Sequence, residues 1–302
     1  MATVSTMLDS LTRAGGDRLG LVALFAGAAA IAFAPIFVRI SELGPTATAF
    51  WRVAFAVPAL YAWLAFEGRA SARPAGAVAG RFGLILAGMF FAADLAFWHW
   101  SIKLTSVANS TLLANLTPIF VTLGAYLVFG ERFKSRFLLA VAIALAGAAT
   151  LMGDSLTLSL DHVVGDTLGV VTALFYGAYL LAVSRLRATH STATIMTWSG
   201  VVSAAALLPV AWLSGEGLIA TGAYGWGVLL GLALFSHAGG QSLIAYALAH
   251  LPAAFSSVGL LVQPVLAAVL AWILLAEPLG AVQALGGAIV LAGVVLARRT
   301  SR

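Results

Sequence analysis

A few ionisable side chains interrupt the long apolar stretches of this sequence, and Arg52, Asp94, His99 and His237 are the ones that could do chemistry. Charge inside hydrocarbon is costly, so such groups pair with one another, face a cavity or carry function. Counting about 1.5 Å of rise per helical residue, Arg52 lies ~9 Å and Asp94 ~13 Å below the same surface on consecutive helices, within reach of an ion pair or a shared water. A structural pair is the first expectation, and a coupling-proton role for Asp94 is the alternative. By helical spacing Phe91, Asp94 and Trp98 share one face of the third apolar run, whereas His99 points elsewhere and does not belong to the same site. Catalysis would need converging titratable groups, but Asp94, His99 and His237 are scattered. No Walker motif, His-Glu metal spacing or nucleophile-base pattern is present. A membrane-embedded enzyme is therefore disfavoured, and no catalytic residue, cofactor or metal site is expected.

The elements that must hold these residues follow from composition. With 62% hydrophobic and 9% charged residues, the chain departs far from the ~25% charge of soluble proteins. A helix needs ~20 apolar residues to cross the hydrocarbon core. Ten such runs occur, at roughly 20–40, 46–66, 82–103, 106–129, 136–152, 164–184, 193–213, 224–248, 253–275 and 280–297. The runs are continuous rather than alternating, which excludes a barrel and leaves an all-α integral membrane protein. Arg13 and Arg18 ahead of the first run could suit a signal peptide, but the run is too long for one. Without cysteine, disulfides and thiolate metal sites are ruled out.

The net charge of +5 raises the question of nucleic acid, and its distribution answers against it. With the N-terminus in the cytoplasm, thirteen basic residues fall inside and two, Arg39 and Lys103, fall outside. That bias orients the protein with both termini cytoplasmic.

The segment Asn109–Glu131 returns at an offset of 146 residues: Pro118 meets Pro264, Ala125 meets Ala271, and Glu131 meets Glu277. The same register pairs Arg39 with Arg185 and Thr46-Ala47-Thr48 with Thr192-Ala193-Thr194. Each copy contains five helices, an odd number, so the second enters the membrane from the opposite side. The chain is thus a 5+5 inverted-topology repeat, an architecture of alternating-access transporters. Its expected parts are a mobile N-terminus (1–17), a first repeat (18–152), an external loop (153–166) and a second repeat with a short basic tail (167–302).

Three phrases carry a family resemblance: FWR at Phe50–Arg52, NLTPIFVTLGAYLVFGER at Asn115–Arg132, and LVQPVLAAVLAWILLAE at Leu261–Glu277. With ten helices and a P-x12-E phrase in each half, the chain resembles the EamA-type ten-helix branch of the drug/metabolite transporter superfamily. Its aromatic third helix is similar in composition to the aromatic amino acid exporters of the YddG type. The resemblance implies a multi-pass protein of a bacterial inner (plasma) membrane with a small-molecule substrate. It also implies a central cavity lined by helices 1, 3, 4, 6, 8 and 9, with helices 5 and 10 peripheral. Export of small metabolites, amino acids included, is the expected function, and uniport, proton antiport and proton symport stay open. Carriage of amphiphilic drugs, lipids or nucleotide sugars on the same fold is the alternative, although a nucleotide-sugar carrier should offer more basic residues than Arg52 and Lys103. The expected partners are the bilayer and a substrate, for a monomer or weak homodimer.

Candidate cavity residues follow from position. Phe91, Asp94 and Trp98 share a face of the third helix, while Tyr176 and Tyr179 lie on the helix that the repeat pairs with the first. His237 aligns with Phe91 at the repeat offset, and Tyr246 closes the eighth helix. Ser110 and Thr117 lie two turns apart beside Pro118, as their partners Ser256 and Gln263 do beside Pro264. Each proline is expected to kink its helix or leave an unpaired carbonyl facing the cavity. Glu131 and Glu277 read as caps of neighbouring helices or, more sharply, as gating contacts. Ala142, Ala146, Ala288 and Ala292 read as small-residue packing surfaces. Trp51 and Trp100 suit the interfacial belt. The sequons at Asn109 and Asn115 fall within a span and read as accidents of polarity.

The orientation can be tested in the cysteine-free background. Single cysteines replacing Ser155 and Ser301 should label from opposite sides. Labelling of both by an impermeant reagent outside intact cells would refute the orientation.

Overall fold

The computed structural model describes residues 2–70, 78–105, 107–152, 160–275 and 279–301. Ten of its helical spans are long and apolar enough to cross a membrane. They are α1 (Gly16–Arg39), α2 (Pro45–Glu67), α3 (Gly80–Leu104), α4 (Asn109–Phe129), α5 (Ser135–Met152), α6 (Val163–Leu186), α7 (Thr192–Leu213), α8 (Ala223–Ala247), α9 (Ala253–Leu274) and α10 (Ala281–Thr300). Each lies within a few residues of its sequence expectation. Helix α1 continues back through the polar leader to Ala2. At the junction of the halves α6 starts at Val163, so Asp166 sits in a first helical turn instead of a loop. There it accepts from Thr105 Oγ1 at 2.6 Å and from Asn109 Nδ2 at 3.2 Å, as suits a carboxylate near the positive end of a helix. Residues 153–159, with Ser155, lie outside the described residues.

The spans are not all regular. Helix α1 breaks at Phe33 ahead of Pro35, and α2 at Phe55 ahead of Pro58. In both the proline has no N–H for the helical ladder. Helix α8 widens into a π-helix over Leu232–Gln241. The wider turn lets Ser236 donate from its hydroxyl to the Ala30 carbonyl of α1 at 2.9 Å. Here Gly27 and Gly240 allow a close crossing, since a Cβ on Gly27 would sit 2.8 Å from the Gly240 carbonyl oxygen.

Helices α2 and α7 pack against each other, and their ends interlock. Past the C-terminus of α7, Glu216 accepts from the Ala47 amide in the first turn of α2 at 2.8 Å and pairs with Lys103. At the opposite end, Glu67 in the last turn of α2 accepts from Ser191, the N-cap of α7. Burial opposes ionisation of Glu216, but its bonds to Lys103 and Ala47 outweigh that and hold its carboxyl below the ordinary value. Glu42 is lowered as well, chiefly by the hydroxyl and amide of Thr221. The carboxylate that caps a helix start is Glu216, on the Ala47 amide, and not Glu131; α7 is capped by its own Ser191. Glu131 follows the left-handed Gly130, which ends α4; its amide bonds the Ala125 carbonyl, and its side chain is exposed. Glu277 lies outside the described residues. Trp51 also departs from expectation: it donates to the Leu218 carbonyl at 2.6 Å and packs on Phe55 and Trp226, so it joins helices, whereas Trp100 stays exposed.

Helices α5 and α10 form the tightest seam. Small residues do the packing, but not the ones expected, because Ala142, Ala146, Ala288 and Ala292 are exposed. Ala140, Ala144, Gly147 and Ala148 instead meet Gly286, Val290, Gly293 and Val294. A Cβ on Gly147 would lie 2.5 Å from the Val290 nitrogen, and one on Gly293 would lie 2.6 Å from the Ala144 nitrogen. In lipid, small residues draw helices together by van der Waals contact. Gly286→Val would drive a side chain into the Leu151 backbone. It should cost about 1–3 kcal/mol of stability, as overpacking does. Ala292→Val on the exposed face should cost almost nothing. Thermal unfolding of both variants in detergent measures the contrast, and equal midpoints would refute the seam.

Candidate functional site

The site begins with two helix breaks. Helix α4 turns at Asn115–Leu116 just before Pro118, and α9 turns at Leu260–Leu261 before Pro264. A proline withholds the amide that would satisfy the carbonyl four residues back. Neither freed carbonyl is left bare, contrary to one sequence expectation. Thr117 donates its hydroxyl to the Ala114 carbonyl at 2.8 Å, and the Gln263 amide reaches the Leu260 carbonyl at 2.9 Å. The breaks are therefore kinks with tightened turns, and side chains become the free polar groups.

Between them lies a cavity with about 960 Å³ of empty space, its mouth included. Five lining residues of α4 and five of α9 are partners at the 146-residue offset: Thr111 with Ser257, Ala114 with Leu260, Asn115 with Leu261, Thr117 with Gln263, and Pro118 with Pro264. The two halves thus build one wall twice. Ser110 and Ser256, expected here, are instead fully buried away from the cavity with their hydroxyls unpartnered. The break offsets the helix phase, so Thr111 and Ser257, one residue on, face the space with Thr117 and Gln263. Thr111 and Asn115 belong to the sequons read as accidents.

Phe91, Asp94, Trp98 and Tyr176, expected on the cavity, also line it, and Arg52, Gln241 and Thr172 join them. Lining comes from α1, α3, α4, α6, α8 and α9, as the resemblance implied, with α2 added through Arg52 and no residue from α5 or α10. Arg52 is 7% exposed and Asp94 8%, and each feels the other's charge. Among the described residues, though, no ion pair or hydrogen bond joins them, so the direct pair expected from helix depth is not formed. Their helices hold them on the cavity wall without bringing the groups into contact.

Besides Ser110 and Ser256, three expected residues, Tyr179, His237 and Tyr246, stand off the lining. Tyr179 is buried behind Phe91, with ring centroids 4.8 Å apart, and its hydroxyl points at the Met196 sulfur. The His237 ring lies 5.3 Å from Phe91 and both its nitrogens are unpartnered. The π-turn of α8 brings Gln241 to the cavity in its place. Tyr246 packs on His250, and His99 contacts the Leu95 carbonyl of its own helix. The general signal for the missed residues was present: a polar side chain inside a span is a site candidate by default.

A polytopic helical protein whose two inverted halves enclose one cavity has the form of a membrane transporter. The EamA-like transporter family model matches residues 18–153 and again 163–299, so each half carries its own copy. The chain belongs to the EamA-like transporter family. It is 28% identical to an uncharacterized transporter of Archaeoglobus fulgidus over 86% of this chain and 91% of that one. It is 24% identical to the pseudopaline exporter of Pseudomonas aeruginosa, covering 76% and 80% of the two chains. A protein of Streptantibioticus cattleyicolor named a probable terminal-alkyne amino-acid exporter is 30% identical over 67% of each chain. A solved crystal structure superposes with a TM-score of 0.78 at 16% identity, over 96% of this chain and 99% of that one, which shows a shared fold.

The position of His237 yields a contrast. Because neither ring nitrogen has a partner, His237→Phe should retain transport and leave stability equal or higher, sparing an unpaired buried polar group that costs about 1–3 kcal/mol. Transport lost from folded His237→Phe protein would overturn its placement outside the lining.

Proposed function

We propose that the protein is a secondary transporter that exports small metabolites, amino acids and aromatic ones among them, by alternating access around the cavity between α4 and α9. The carrying observation is the wall built twice: five residue pairs, related by the inverted repeat, line one space between the halves. Inverted repeats exchange conformations around a midplane site, and a cavity lined by both halves supports that reading. Its character suits an amphiphile. Phe91, Trp98 and Tyr176 supply aromatic surface, and Asn115, Thr117, Gln241 and Gln263 supply amide and hydroxyl handles. Arg52 is the one cationic residue on the lining, which suits a polyanion such as a nucleotide sugar poorly. Two relatives carry exporter names, one of them for an amino acid. The orientation that follows from the basic residues places both termini in the cytoplasm of a bacterial inner membrane.

Purified protein in liposomes, screened over amino acids and amphiphilic drugs, tests the reading. Trp98→Ala and Gln263→Ala should lower the rate for the best amino acid at least tenfold or change its concentration dependence, with folded yield unchanged. Parental transport by both variants would refute the cavity assignment, and failure of the parent to move any amino acid would refute the substrate class.

A further inference from the structure

Arg52 and Asp94 are each more than nine-tenths buried, line the same cavity, and make no hydrogen bond or ion pair among the described residues. This is not how the structure treats charges that serve to hold it together: Lys103 closes on Glu216, and Arg298 reaches Asp17 at 3.3 Å. Nor does the fold require the two charges. Their partners at the repeat offset are Trp198 and Gly240, so the second half builds the corresponding helices without them. A buried charge of either sign calls for a counter-charge, and here the two groups line one cavity without bonding each other. Two residues of its lining carry buried amide atoms without a partner among the described residues. Gln263 Nε2 is a free donor, and Gln241 Oε1 is a free acceptor, its side chain lying in hydrogen-bonding reach of Tyr176. Residues of the lining thus carry two donor groups and two acceptor groups without a partner among the described residues.

Resting on the reading of this cavity as the substrate site, we propose that Arg52 and Asp94 hold the two ends of a zwitterionic head group. The Arg52 guanidinium, assisted by the Gln263 amide, takes the carboxylate; the Asp94 carboxylate, assisted by the Gln241 carbonyl oxygen, takes the ammonium. Guanidinium and carboxylate match in planar, bidentate geometry, which makes the first contact selective. The side chain of the substrate then lies against Phe91, Trp98 and Tyr176. Because substrate and site each carry one positive and one negative charge, binding satisfies four charges at once. A substrate with a single charged end leaves one buried charge uncompensated and is rejected.

Counterflow of labelled L-phenylalanine and L-leucine into liposomes holding the purified wild-type chain tests this, with phenethylamine and 3-phenylpropionate as one-ended competitors. Phenylalanine should compete at least tenfold better than either analogue. Arg52→Gln should abolish its advantage over phenethylamine, and Asp94→Asn its advantage over 3-phenylpropionate. The wild-type panel decides alone if the variants do not fold. Counterflow of the amino acids with one-ended analogues competing equally overturns the head-group assignment and leaves the exporter reading standing. Absence of counterflow for both amino acids overturns the amino-acid reading and the assignment with it.

Discussion

A backbone carbonyl in hydrocarbon has no water to turn to, and the arrangement of this protein depends on how that constraint is met at two prolines. Lipid-facing spans tolerate no free backbone group, so a helix can break only where protein or a cavity receives the change. Helices α4 and α9 break ahead of Pro118 and Pro264, and a threonine hydroxyl in one and a tightened turn in the other take up the carbonyls. Those breaks set which side chains reach the space between the halves. The cavity is therefore a product of backbone bookkeeping before it is a product of side-chain chemistry.

Rigid seams frame it. Glycines and alanines press α5 against α10, and Gly27 with Gly240 does the same for α1 and α8. Close approach at such crossings leaves little freedom to slide, because any added atom meets backbone. Helices α2 and α7 are joined otherwise, by carboxylates at opposite ends, Glu216 at the start of α2 and Glu67 at the start of α7. Glu216 caps α2 directly, whereas Glu67 holds the hydroxyl of Ser191, which caps α7 itself.

Much of this was legible in the sequence, and the rest was hidden for identifiable reasons. Span number and length follow from the thickness of hydrocarbon, and the 146-residue register fixed which residues correspond. Facing was harder. Lipid and protein interior are equally apolar, so the composition of α5 does not tell Ala144, which packs, from Ala142 and Ala146, which do not. Phase counted along a regular helix placed Ser110 and Ser256 on the cavity, and the breaks moved that role to Thr111 and Ser257. Phase failed again in α8, where alignment with Phe91 favoured His237 and the π-turn delivers Gln241. Proximity in depth suggested that Arg52 and Asp94 meet, whereas both line the cavity without bonding each other.

The π-helix of α8 has one more consequence. The repeat offset is 146 both before α8, at Thr46 and Thr192, and beyond it, at Pro118 and Pro264, so α3 and α8 belong to segments of equal residue count. No residue was inserted to make the wide turn. A helix with more residues per turn rises less per residue, so Leu232–Gln241 covers less height than its counterpart Leu86–Leu95 in the continuous α3. The duplicated halves are therefore equal in length of chain but unequal in stature. The inverted repeat is thus exact in residue number and inexact in the rise of α3 and α8 over these ten positions.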